Sequence, residues 1–281
     1  MKHLAFFLLL IPFFAPAQTL MVKERKRSAL TGSEFARSIA DTTISLKERE
    51  QRIYREIKNG NIPEHLRTLA MITDTVTING QPTAIQYFVL PDYLAIGSDQ
   101  DYFYCPITPS MAQRIASMLG CSLPTRKISD QIYRAADIKM SPQPIPPSKS
   151  MVTVPVFIRH NEMIREERKT NWNTLRLGSL VAGNKKDVVI SNKIYRNGDI
   201  RVVIYGWHKN DGRPVQPLYN GHSPDWADYS HGIRLVQNNV WVNGKRTTLQ
   251  QVLQSKTLNI LLSDEGQIKK PAYPTKQNPA Y

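Results

Sequence analysis

The sequence predicts an α+β fold, helical in its N-terminal part and mostly antiparallel β in its C-terminal part. Three observations carry that expectation. The 281 residues are 41% hydrophobic and 21% charged, with 14 Gly and 19 Pro, which excludes a disordered, collagen-like or coiled-coil chain. Helix-period segments with caps dominate residues 45–58 and 109–138, interrupted by a hairpin pattern. Beyond Ser179 the pattern changes to short apolar strands separated by Asn-containing turns.

The elements follow in order. Lys2 and His3 precede an apolar run over residues 4–14, and Ala15, Pro16 and Ala17 give a small-x-small cleavage site. Residues 1–17 are therefore expected to be a signal peptide, and the mature chain to be exported, periplasmic or extracellular. The apolar run is too short to span a bilayer core of about 30 Å, and no later transmembrane segment is expected. Residues 18–32 are basic and polar. In 45–58, Leu46, Ile53, Tyr54 and Ile57 form a narrow apolar stripe among charges, ended by Asn59 and Gly60. A short helical turn is expected over 62–66.

Residues 72–78 and 84–90 read as strands joined through Asn79 and Gly80, a hairpin signal. Further short strands are expected at 93–96 and 102–104. Helices follow over 109–119 and 124–138, the first closed by Gly120 and the second opened by Pro124. The Pro-rich segment 141–150 reads as a linker or extended crossover. It separates a helix-rich region with a small sheet, 18–140, from a β-rich region, 151–265. In the latter, 152–158 reads as a strand and 161–169 as a charged helix. Strands follow at 188–194 and 199–205, joined through Asn197 and Gly198. A hairpin is expected between 233–237 and 240–242 across Asn238 and Asn239, then a short helix at 247–254. Residues 266–281 read as a flexible tail.

Lys plus Arg number 37 against 23 Asp plus Glu, a net charge of +14 spread along the chain. With an export signal and no basic stripe, this favours an anionic cell-wall or polysaccharide partner over nucleic acid. A disulfide between Cys105 and Cys121 is the ordinary reading in an oxidising compartment. However, the helix expected between them extends about 16 Å, against roughly 4.4–6.8 Å for bridged Cα atoms. Disulfide and free thiols both stay open. Asp92, Asp99 and Asp101 read as turn and cap residues, and His65 and His160 as structural. Gly183, Asn184, Lys185, Lys186 and Asp187 read as a charged turn before a strand, or as an anion-binding loop.

The chemistry concentrates in residues 205–232, which read as one long loop. Three of the six histidines, His208, His222 and His231, fall there with Asp225, Asp228, Tyr205, Trp207, Tyr219, Trp226 and Tyr229. Three readings fit. In the first, Cys121 is a thiolate nucleophile before a helix, His231 its general base, and Asp228 or His208 the orienting group. Arg234 and Lys185 would then hold a substrate carboxylate. In the second, His222, Asp225 and His231, with His208 or Asp228, bind zinc; the other readings need no cofactor. In the third, Trp207, Trp226 and Tyr229 stack on sugar or peptide.

A Cys before a helix facing a strand His, in that chain order, resembles the layout of NlpC-type and papain-like amidases. Ser230, His231 and Gly232, followed by Ile233, Arg234 and Leu235, resemble the Ser-His-Gly-Cys signature of YkuD-type L,D-transpeptidases, with His208 matching the family's upstream His. Ile233 stands where that family has its nucleophilic Cys, so the resemblance implies a related framework without that nucleophile. Residues 111–136 resemble a segment of formylglycine-generating-type C-lectin folds, which implies a structural role for Leu123, Pro124 and Thr125. Taken whole, the chain resembles exported bacterial proteins. The expected function is an exported hydrolase or transferase acting at an amide bond of a cell-envelope or extracellular polymer. The alternatives are a metal-dependent hydrolase and a non-catalytic glycan- or peptidoglycan-binding protein.

Overall fold

The computed structural model describes residues 18–171, 178–196 and 198–275. The expected signal peptide, the turn residue Asn197 and the last part of the expected tail, 276–281, lie outside the described residues. The helices are α1 (Gly32–Ser38), α2 (Leu46–Lys58), α3 (Pro109–Met118), α4 (Arg126–Ala135), α5 (Val154–Asn171) and α6 (Leu249–Gln254). Five of them start where a hydroxyl side chain accepts from an orphan backbone N–H of the first turn: Thr31, Ser45, Thr108, Thr125 and Thr248. No helix among the described residues is long and apolar enough to cross a membrane.

The fold is α+β, with N-terminal helices preceding a larger β-rich C-terminal region. Its largest sheet is built on the hairpin Ala70–Ile78 and Gln81–Val89, paired from Ala70↔Val89 to Ile78↔Gln81. The turn is the expected one: Asn79 (φ 50°) and Gly80 (φ 78°) take the left-handed conformations a two-residue hairpin turn requires. On the other side of Gln81–Val89 lie Val236–Gln237 and Asn239–Val242, which pair onward with Cys121–Ser122 and Lys245–Thr248. Strands from before and after residues 141–150 thus share one sheet.

The segment 141–150 is itself packed rather than a free linker. Ile145 is buried, and both its N–H and its carbonyl are bonded to the Tyr229 hydroxyl, at 2.8 and 2.9 Å. The expected tail is likewise anchored over 266–275. Tyr273 is buried, and its hydroxyl accepts from Val203 N and donates to Val189 O.

Three expectations are corrected. Residues 152–158 are not a strand, because α5 begins at Val154. Their apolar, β-branched run carries no period, and Pro155 falls in the first turn, where a missing N–H costs nothing. The buried face of α5 is Val154, Phe157, His160, Asn161, Ile164 and Arg168. The spacing is helical, but half the stripe is polar, which hid it. The hairpin across Asn238 and Asn239 does not form either. Both flanking strands lie along the same side of Gln81–Val89, and the real turn is Asn243 and Gly244, both at positive φ. Finally, 205–232 is not one loop. Pro214–Tyr219 pairs antiparallel with Ile204–His208 as an edge strand carrying two prolines.

The acidic residues expected at turns and caps lie there: Asp99 and Asp101 fall in the bend before Tyr102–Tyr104 and accept from His65 N and Ser33 N of two helical starts. Asp92 is buried and accepts from Tyr104 Oη (2.7 Å), Arg168 Nη1 (3.0 Å) and the Tyr93 N–H. Asp99 pairs with His65 Nδ1 at 2.9 Å. Asp101 receives Ser33 and Arg165.

Candidate functional site

A second sheet orders its strands Pro214–Tyr219, Ile204–His208, Lys186–Val188 and His231–Gly232, the last pair parallel. In one row across it, Lys186 is opposite Gly206 on one neighbour and His231 on the other. Gly206 (φ 99°) and Trp207 (φ 57°) form an irregularity in their strand, of the kind that redirects a side chain. The Trp207 ring consequently lies against Lys186, 5.0 Å from its ammonium.

The chain between the last two strands is tied down at each step. Tyr229 N donates to Met151 O, Lys186 N to Ser230 O and His231 N to Asp228 O. Asp228 Oδ1 accepts from Ser230 N (2.8 Å) and Ser230 Oγ (2.6 Å), and Oδ2 accepts from Trp226 Nε1 (3.1 Å). His231 Nε2 stands 3.5 Å from Asp228 Oδ2. Burial favours protonation of Asp228, but His231, the Ser230 donors and Lys186 outweigh it and hold the carboxyl well below the usual range. Burial pushes His231 down to about 4; Asp228 opposes the shift, and Lys186, His222 and Lys185 add to it. The ring is neutral at neutral pH, and neither of its nitrogens has a hydrogen-bond partner.

Above this buried base lies a strip of rings. His222 stacks on Trp226 (4.8 Å, 11°), meets Tyr219 edge-on at 5.1 Å and is 6.5 Å from His231. Tyr219 is exposed, and His222 and Trp226 are half-buried. Burial lowers the His222 pKa; Asp228 opposes this and Lys186 adds to it.

The expected site residues thus divide. His231, Asp228, His222 and Trp226 come together. Trp207 and Tyr229 adjoin them, but both are buried, so they do not offer a stacking face to substrate. Tyr229 instead clamps Ile145 through its hydroxyl. Lys185 is also buried. Its ammonium donates to Tyr229 O (2.6 Å) and to His160 Nδ1 (2.9 Å), which leaves it no access to a substrate carboxylate. Arg234 is buried too, donating to Leu90 O and Val181 O with its guanidinium over Tyr93. His208 belongs to a separate cluster, bonded to Asp130 at 3.0 Å and stacked on Tyr133 at 4.5 Å.

Asp225 lines a cleft with Glu50, Thr108 and Arg114 between α2 and α3. Among the described residues, no group of three His, Cys, Asp or Glu side chains is placed to hold a metal ion, so the zinc reading has no ligand set there.

Cys121 is the largest correction. It lies in the two-residue strand Cys121–Ser122 of the other sheet, 3% exposed, with its thiol directed at Leu119 O. Burial pushes that thiol up to about 12, and no histidine contact accompanies it among the described residues. Cys105 is buried and also free, its thiol likewise raised. Neither cysteine is therefore expected to react with iodoacetamide in the native protein, while both label fully after unfolding. Against an ordinary thiol near 9, the Cys121 thiolate population falls about a thousandfold. Rapid labelling of native Cys121 would contradict this placement.

One participant escaped the sequence reading: Lys186, grouped with Lys185 in one charged turn. His160, read as structural, is buried on α5 and bonded to Lys185. The one available signal was alternation: a strand starting at 186 separates the two lysines. No family model, curated protein or solved structure matches this chain. The likeness to L,D-transpeptidases therefore rests on residues 230–235 with His208, and His208 is held elsewhere, by Asp130 and Tyr133.

Proposed function

We propose that the protein is an exported, non-catalytic binder of a cell-envelope or extracellular glycan. The observation that carries this reading is the strip of Tyr219, His222 and Trp226, in which His222 touches both other rings, Tyr219 is exposed and the other two are half-buried. The strip is held on a rigid base, because Trp226 is bonded to Asp228 and Asp228 to Ser230. Flat rings beside polar groups suit the apolar faces of sugars, and a pre-fixed platform loses little entropy on binding. Residues 1–17 and the +14 charge favour an anionic envelope surface. The hydrolase or transferase reading keeps His231 and Asp228 but loses its nucleophile, since Cys121 is enclosed in the other sheet.

Pull-down on insoluble cell wall tests the proposal. Trp226→Ala is expected to weaken capture about tenfold, the equivalent of about 1.4 kcal/mol, with the far-UV circular dichroism spectrum preserved. Capture equal to wild type would remove the ring strip as the contact surface.

A further inference from the structure

We propose that Lys186, His231 and the Trp207 indole N–H form a site for an anionic oxygen ligand, a carboxylate or phosphate borne by the bound polymer. This inference builds on the glycan-binding reading and names the group recognised beside the ring strip.

The argument starts from unfilled hydrogen-bonding capacity. Both ring nitrogens of His231 and Nε1 of Trp207 are buried without partners. The two side chains are 1% and 4% exposed. A neutral imidazole must carry one N–H and an indole carries one, so two buried donors stand unused. Native proteins pair nearly all such groups, which makes two on the strands either side of Lys186–Val188 a feature to explain. Lys186 lies on the strand between them, opposite His231 and with its ammonium on the Trp207 ring.

Lys186 forms no ion pair among the described residues, and it is half-buried, so solvent reaches it. Asp228, the carboxylate beside His231, accepts two bonds from Ser230 at Oδ1 and one from Trp226 at Oδ2, which stands 3.5 Å from His231 Nε2. The Lys185 amine is committed to Tyr229 O and His160. Two unused N–H donors with the Lys186 ammonium between them select an anion over a cation. An anion with several oxygens satisfies both N–H donors and the ammonium together. His222 and Trp226 adjoin this base, so a polymer lying on the rings can direct an acidic substituent toward it.

Titration with inorganic phosphate and, separately, acetate tests the site, read by the His231 ring resonances in NMR and by tryptophan fluorescence. Both ions are expected to shift the His231 signals saturably. Lys186→Met is expected to weaken both at least tenfold and to abolish any preference for an acidic polymer over its carboxyl-reduced form. His231 signals unmoved by either ion, or equal affinity in Lys186→Met, would overturn the inference. A shift with phosphate alone assigns a phosphate ester, and with acetate alone a carboxylate. Phosphate or acetate binding without polymer capture keeps the anion site and removes the polymer reading. Capture that survives Lys186→Met equally on acidic and neutral polymer removes the anion site and keeps that reading.

Discussion

Lys185→Met is expected to flatten a rise in stability that the wild-type protein shows between pH 7 and about pH 9. Burial pushes the Lys185 ammonium from 10.5 down to about 7, with Asp228 opposing the shift. The unfolded chain keeps that proton up to about 10.4. Between the two values the unfolded state binds more protons than the folded state, so stability increases with pH. Below pH 7 both states are protonated, and the cost of enclosing the ammonium is fully present. From about pH 8 the raised thiols of Cys105 and Cys121 oppose the trend, because they ionise only on unfolding, near 8.5.

Lys185 alone contributes about 2 kcal/mol across the two-unit window, and the two thiols offset part of it. Urea unfolding at pH 7, 8 and 9 measures it. A Lys185→Met variant with the same slope as wild type would show that the amine does not titrate there. On the acid side His160, held down at about 2 by burial and Lys185, and His231, at about 4, act in the same direction. The unfolded chain takes up their protons near 6.5 and the folded chain does not.

Asp92→Ala is expected to destabilise the fold by about 3–5 kcal/mol, because it leaves the Arg168 guanidinium enclosed without its counter-charge. Tyr104 loses its acceptor in the same step, and Asn184 loses a longer contact at 3.5 Å. Arg168 also donates to the Tyr102 hydroxyl, so the change loosens α5 against Tyr102–Tyr104. Since domains are stable by about 5–15 kcal/mol in total, a loss of this size is readily measured. Adding Arg168→Met to Asp92→Ala is expected to recover part of the loss, as the stranded charge is then removed. Simple additivity of the two single changes in urea unfolding would show that the pair is not coupled.

In the proposed reading glycan capture rests on the ring strip and anion recognition on Lys186, whereas Lys185 and Asp92 are buried in the scaffold. Reducing capture through Trp226 and reducing stability through Asp92 therefore act on separate parts of the molecule.

Legibility followed the range of the interaction. The helices over 45–58 and 109–119, the turn at Asn79 and Gly80 and the i,i+3 placement of Asp228 beside His231 depend on neighbours in sequence, and each was readable. The strand expected at 152–158 failed because burial of His160, Asn161 and Arg168 in the α5 stripe requires partners far along the chain. Cys121 failed for a related reason. Its position before α4 suggested a stabilised thiolate, but pairing of Gln237 with Cys121 draws it into the largest sheet, away from water and from any imidazole contact.

Turn residues and apolar period are short-range properties, so the α+β class and the richness of residues 205–232 in His and aromatic rings could be read directly. Which of those rings meet is a long-range property. The parallel pairing of His231 with Lys186 joins residues far apart in the chain, and burial there makes His231 neutral and leaves its nitrogens unpaired. Packing also turned Lys185, Arg234 and Tyr229 from substrate contacts into internal braces, because their polar groups found backbone partners once water was excluded.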